Sequence, residues 1–143
     1  MKIKLKRLHE DAIVPTYGTK FSACLDLYAI EDVTFMLGDT KRIRSGWAFE
    51  IPEEYYVKIV PRSGLSIKND LIMPNSPGTV DSDYRGEIFV YMKLLKEDWQ
   101  LSIKKGDRFA QIEIKRRIKV EFEEVLELGG TDRGSGGFGS TGV

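Results

Sequence analysis

Residues 133–142 read RGSGGFGSTG, and a single residue, Val143, follows them. Seven of the 14 glycines in the chain fall in its last fifteen residues, a composition that cannot bury enough apolar surface to fold by itself. A frayed, solvated tail is the plain reading. The chemistry open to such a segment is anion binding: glycines let backbone N–H groups come close to an anion, the Ser140 and Thr141 hydroxyls add donors, and Arg133 adds a planar, permanent charge. Gly134, four residues, then Gly139-Ser140-Thr141 nearly spells the nucleoside-triphosphate P-loop. It fails because Ser140 stands where that motif needs Lys, and the two residues left cannot make the helix that must follow. Phe138 supplies a ring that can stack on a flat ligand such as a nucleobase.

Two further stretches suit related chemistry. PRSGL at 61–65 follows a strand-like run, so Arg62, Ser63 and the backbone at Gly64 present a charge and donors at the start of a helical turn, although Arg-Ser-Gly is also an ordinary turn. NSPGTVDSDYRGEI, Asn75 to Ile88, reads as a Pro-Gly turn leading into a short strand that bears Asp81, Asp83, Tyr84 and Arg85. On a strand, Asp81 and Asp83 share a face. Either they hold a metal together, or one is a catalytic carboxylate and its neighbour is exposed. A tight hairpin can offer backbone donors and acceptors to a base edge, and an adjacent tyrosine can pack flat on a sugar.

The elements that must position these residues read as strands. IKLKRL near the start, YYVKIV at 55–60, EIFVYMKLL at 87–95 and RFAQIEI at 108–114 are β-rich runs separated by turn residues at Gly38-Asp39, Pro52-Glu53, Lys105-Gly106-Asp107 and Asn75 to Gly78. SGLSIKN after Pro61 suits one helical turn, and no stretch carries a long helical period. The expected architecture is an all-β, jelly-roll-like sandwich or barrel of about ten short strands, closed to limit exposed edges. Composition shifts at Gly129, which predicts a core domain over 1–128 and a flexible glycine-rich arm over 129–143.

Composition excludes several classes. Lys+Arg and Asp+Glu are both 22, so no global basic field draws a nucleic-acid polyanion, and any phosphate chemistry must be local. One cysteine, Cys24, excludes an intramolecular disulfide, and His9 alone is too little for a structural zinc site. MKIKLKRLHEDA contains no continuous apolar region for a signal peptide or membrane span, which points to a reducing, cytoplasmic setting without a membrane partner.

Taken in order, the motifs resemble the trimeric dUTPase family, whose five motifs are similar to SACLDL around Asp26, PRSGLS, GTVDSDYRGE, GDRFAQI at 106–112 and RGSGGFGSTG. The resemblance implies hydrolysis of dUTP to dUMP and pyrophosphate, which limits uracil in DNA and supplies dUMP for thymidylate synthesis. It implies that Asp81 activates the water that attacks the α-phosphorus. Asn75 with the backbone of Gly78, Thr79, Val80 and Asp81 would read uracil, and Tyr84 would lie under the deoxyribose. Arg62, Ser63, Gly64 and Gln111 would hold phosphates. Asp26 would bear on Mg²⁺ through water, while Phe138, Arg133, Gly139, Ser140 and Thr141 would form a lid over base and phosphates. It further implies a homotrimer whose sites are shared between subunits. Cys24 departs from the glycine common in the first motif, which bears on the backbone beside Asp26.

That mechanism is physically coherent. A triphosphate needs Mg²⁺ and Arg to neutralise its leaving group, while one carboxylate aligns the water in line. A site built to hydrogen-bond uracil rejects cytosine by leaving groups unpaired. Two alternatives share the fold: a dCTP deaminase relative, disfavoured by the Asp81-to-Tyr84 run and the Phe138 tail, and a non-catalytic nucleotide-sensing module, disfavoured by intact Asp81, Gln111 and Arg133.

Overall fold

The computed structural model describes residues 1–95 and 100–137. Alternation of apolar and polar side chains puts the β-rich runs into sheets. Strand β9 (Glu87–Leu94) buries Ile88, Val90, Met92 and Leu94 and turns the residues between them away from the core. Strand β6 (Tyr55–Pro61) buries Val57 and Ile59, and β11 (Arg108–Arg116) buries Phe109, Ala110 and Ile112. Burying one such large aliphatic side chain stabilises the fold by about 1.5–3 kcal/mol.

The remaining strands are β1 (Lys4–Arg7), β2 (Thr16–Tyr17), β3 (Leu25–Tyr28), β4 (Val33–Phe35), β5 (Thr40–Glu50), β7 (Leu71–Ile72), β8 (Gly78–Val80) and β10 (Leu101–Ile103). Among the described residues they form a four-stranded sheet in the order β1-β5-β9-β7, a five-stranded sheet in the order β2-β3-β11-β6-β8, and a β10-β4 pair. All pairings are antiparallel. Apolar side chains from both large sheets, Ile43, Val90 and Met92 from one and Leu27, Val57 and Ile112 from the other, meet in one core. The sequence-based expectation of a β-sandwich therefore holds.

Strand β5 is irregular where it pairs with β9. Its register against β9 shifts between Arg44 and Ala48, a bulge in which Gly46 takes φ 72°. A side chain there would be strained and would also put a Cβ 2.8 Å from that of Ala12, so the bulge requires glycine. SGLSIKN forms helix α1 (Ser63–Asn69), closed by Asp70 in the left-handed region, whose N–H reaches the Ser66 carbonyl.

Two features differ from the sequence expectation. Asp81 and Asp83 are not on a strand, because β8 ends at Val80 and the chain turns at once, with the Tyr84 N–H donating to the Asp81 carbonyl at 3.2 Å. The shared-face argument for a two-carboxylate metal site therefore loses its geometry. Regular structure also ends at Arg116, ahead of the composition shift at Gly129, and residues 117–137 contain neither strand nor helix. Phe138, Gly139, Ser140 and Thr141 lie outside the described residues.

Candidate active site

Strands β6 and β8 pair with Ile59 opposite Gly78, and Met73 and Asn75, from the segment between α1 and β8, lie beside Gly78. A cavity of about 240 Å³ results, lined by Ile59, Asn75, Gly78, Thr79, Val80, Asp81, Tyr84, Glu87, Ile88 and Phe89. Every hairpin residue expected to read a base or sugar is thus in one place. Gly78 is buried, and a Cβ on it would stand 3.8 Å from the Asn75 amide nitrogen and 3.4 Å from Met73 Cε, filling space beside the amide. The cavity combines an apolar floor from Ile59, Ile88 and Phe89 with the polar edge of the hairpin, the composition of a small-molecule site. Asp81 is exposed at the rim, where it also borders a larger polar cleft of about 690 Å³ together with Asp83 and Arg85.

The second group assembles around Asp26, which is only 3% exposed. Strands β3, β11 and β6 are neighbours, and register places Gln111 of β11 directly opposite Asp26 of β3. Gln111 Nε2 donates to Asp26 Oδ1 at 3.1 Å, Arg62 Nε lies 3.2 Å from the same oxygen, and Arg108 Nη1 donates to Oδ2 at 3.1 Å. Arg62 Nη1 also donates to the Arg108 carbonyl at 3.0 Å. One buried carboxylate therefore fixes two guanidinium groups and an amide at the edge of a cavity of about 230 Å³ lined by Arg62, Leu65, Ser102, Ile103, Asp107 and Arg108. Ser63 and Gly64 are exposed in the first turn of α1 beside Arg62.

Arg108 was missed by sequence reasoning. In a regular strand residues 108 and 111 point to opposite faces, but a register shift between Arg108 and Ala110 re-aims Arg108 so that both reach Asp26. Glu87 was also missed. Its carboxylate accepts from Arg44 Nε at 3.0 and 3.2 Å and from the Gly46 N–H at 3.0 Å, partners supplied by the bulge in β5. The only sequence signal was the Ser-Gly break inside an otherwise strand-like run.

Arg133 borders neither cavity; its Nε donates to the Gly136 carbonyl within the tail at 2.9 Å. The thiol of Cys24, beside Asp26 in sequence, is pushed above its ordinary pKa first by partial burial and then by the Glu113 charge, so it is a poor nucleophile. Among the described residues no group of three His, Cys, Asp or Glu side chains is arranged to hold a metal, and no helix is long and apolar enough to cross a membrane.

The sequence profile of dUTPase matches residues 10–142. The chain belongs to the dUTPase family. A deoxyuridine 5'-triphosphate nucleotidohydrolase of Nautilia profundicola is 49% identical over 142 residues, 99% of each chain. A dUTPase of Staphylococcus bacteriophage 80alpha, solved with dUpNHpp, matches 99% of this chain and of its own with a TM-score of 0.88 and 26% identity. A phage phi11 dUTPase, whose structure describes a structural Mg(II) ion, is 22% identical and covers 91% of this chain with a TM-score of 0.82. The dUTPase fold accounts for the jelly-roll-like arrangement, and all five motifs lie within the matched span. In this dUTPase, the hairpin cavity and the Asp26 cradle share no lining residue within one chain.

Proposed function

We propose that this dUTPase-family enzyme hydrolyses dUTP to dUMP and pyrophosphate, with uracil and sugar in the hairpin cavity. The observation that carries the reading is that Asn75, Gly78, Thr79, Val80, Asp81 and Tyr84 line one cavity of about 240 Å³ with a carboxylate at its rim. Uracil would pair with the Asn75 amide and the hairpin backbone, and the Tyr84 ring would fill the space of a ribose 2′-hydroxyl. Asp81 would take a proton from water as its oxygen bonds to the α-phosphorus; the bond to the bridging oxygen breaks in line, and pyrophosphate leaves.

Arg62, Ser63, Gly64 and Gln111 are the phosphate ligands in this reading, and the positions of Arg62 and Gln111 on one buried carboxylate support it. Among the described residues Asp26 is the cradle's only buried carboxylate, and with both its oxygens already engaged by Arg62, Arg108 and Gln111 it could reach Mg²⁺ only through water, with phosphate oxygens and waters supplying the other ligands. Asp26 would hold Mg²⁺ through water, and the chemistry the ion would supply there is neutralisation of charge on the leaving group. Arg133, Phe138, Gly139, Ser140 and Thr141 act as the lid. Cytoplasmic nucleotide is the substrate pool, in keeping with a lone, unreactive cysteine.

The separation of hairpin and cradle supports sites completed between copies of the chain, in a homotrimer. So does the stretch after β11, where Ile118, Phe122, Leu126 and Leu128 are 82%, 97%, 104% and 89% exposed, an apolar run that a neighbouring subunit would cover. The test is pyrophosphate release from dUTP, UTP, dCTP and dTTP with Mg²⁺. Turnover of dUTP alone is expected. Ammonia from dCTP would point to the deaminase relative, and binding without turnover to a sensing module. For shared sites, coexpressing an Asp81→Asn chain with a chain lacking residues 132–143 should restore about one quarter of wild-type activity, the product of two independent halves. Activity no higher than that of the two parents excludes sharing.

A further inference from the structure

Tyr84 reaches the cavity from a turn anchored at both ends. On one side Val80 pairs with Val57 of β6. On the other, Glu87 is held in the β5 bulge by Arg44 and the Gly46 N–H, and the buried Ser45 hydroxyl donates to the Ile88 carbonyl at 2.5 Å. Between these anchors Tyr84 is 43% exposed, with one long hydrogen bond from Oη to the Glu87 carbonyl at 3.3 Å. That bond is too weak to fix a ring against solvent.

The surface that fixes it is Gly86. A Cβ built on Gly86 would overlap Tyr84 Oη, lie 2.5 Å from Cζ, closer than real Cβ atoms come, and crowd Cε2 at 3.1 Å. The ring therefore lies directly on the glycine backbone. Gly86 is not among the glycines with positive φ, so alanine could adopt its backbone conformation, and steric room for the ring is what this position supplies. Because the crowded atoms belong to the end of a half-exposed side chain, the ring would yield and the turn would stay.

We infer that Gly86 is a positioning residue for sugar selectivity: its missing Cβ seats the Tyr84 ring where a ribose 2′-hydroxyl would otherwise fit. This rests on the reading of Tyr84 as the sugar-facing ring. The test compares kcat/KM for dUTP and UTP in wild type, Gly86→Ala, Tyr84→Ala and the double variant, with thermal melting of each. The expected result is that Gly86→Ala melts like wild type but loses at least about tenfold of its preference for dUTP, roughly 1.4 kcal/mol of discrimination. The double variant should lose no more than Tyr84→Ala alone, because both act through one ring.

Wild-type selectivity in Gly86→Ala, or additive losses in the double variant, would overturn the inference while leaving the reading of Tyr84 intact. Wild-type selectivity in Tyr84→Ala would instead remove the sugar assignment, and the inference with it. A measurement independent of any alanine at position 86 is the NMR shift of the Gly86 Hα protons. The ring should move them upfield in the wild-type protein and release them in Tyr84→Ala, and an unperturbed wild-type shift would refute the seat.

Discussion

Gln111 and Asp26 face each other across β11 and β3, and the Gln111 amide donates to Asp26 Oδ1 at 3.1 Å. The same carboxylate engages Arg62 and Arg108, so one buried acid aligns donors from two chain segments, β11 and the residue ahead of α1. Asp26→Ala would leave two guanidinium groups without their counter-charge. A loss of about 3 kcal/mol is expected, the low end for breaking a buried pair, since the Arg62 and Arg108 side chains keep 27% and 47% exposure. Urea denaturation of Asp26→Ala beside Asp26→Asn measures it; an unchanged midpoint in both would show that the ion pairs are not worth their burial.

Asp81→Asn keeps the shape of the cavity rim and removes the carboxylate proposed as the base. Turnover should fall at least about a hundredfold with KM nearly unchanged, whereas Asp83→Asn, which borders only the outer cleft, should cost much less. Steady-state kinetics on the two variants decides which carboxylate acts.

Removal of residues 132–143 takes away no buried side chain among those described, so melting should be unchanged while dUTP hydrolysis is largely lost. Truncation after Arg116 removes the exposed apolar run as well, and sedimentation should then show a smaller species. A trimer surviving that deletion would rule out the arm as an assembly element.

Acid sensitivity has a readable source in Asp32. The Lys104 ammonium and the Lys105 N–H hold its carboxyl below the usual carboxylate range. A folded pKa below the unfolded one means that the contribution is complete above the unfolded value of about 3.9 and disappears as pH falls through the folded value. Asp32→Asn should therefore melt below wild type at neutral pH, and the gap should close in acid. Melting curves between pH 7 and pH 2.5 check this, and a gap that is independent of pH would assign the loss to something other than charge.

The strand runs, the turn at α1 and the hairpin residues were legible because each is written locally, in alternation or in turn chemistry. Val57, Ile59, Ile88 and Val90 announce their faces through a period of two. What was not legible depends on places where that period breaks. The tight turn after Val80 takes Asp81 and Asp83 off a strand, and the shift between Arg108 and Ala110 turns an arginine toward Asp26. The bulge at Gly46 receives a carboxylate 41 residues away in the chain. Each break is invisible to a local pattern because its justification is a partner brought close only by the fold.

The burial of Asp26 between two arginines also bears on how the enzyme lets go of what it makes. Set against Arg62 and Arg108, the carboxylates of Asp26 and of Asp107, which lines the same cavity, leave the cradle with little net charge. A field that modest suits a ligand that brings its own counter-ions and is gripped elsewhere as well, and it offers little to a nucleoside monophosphate once pyrophosphate has gone. On the proposed reading of the cradle as the phosphate site, the carboxylate that orders it would also keep it from becoming a product trap. The expected sign is weak competition by dUMP, only mildly sensitive to ionic strength.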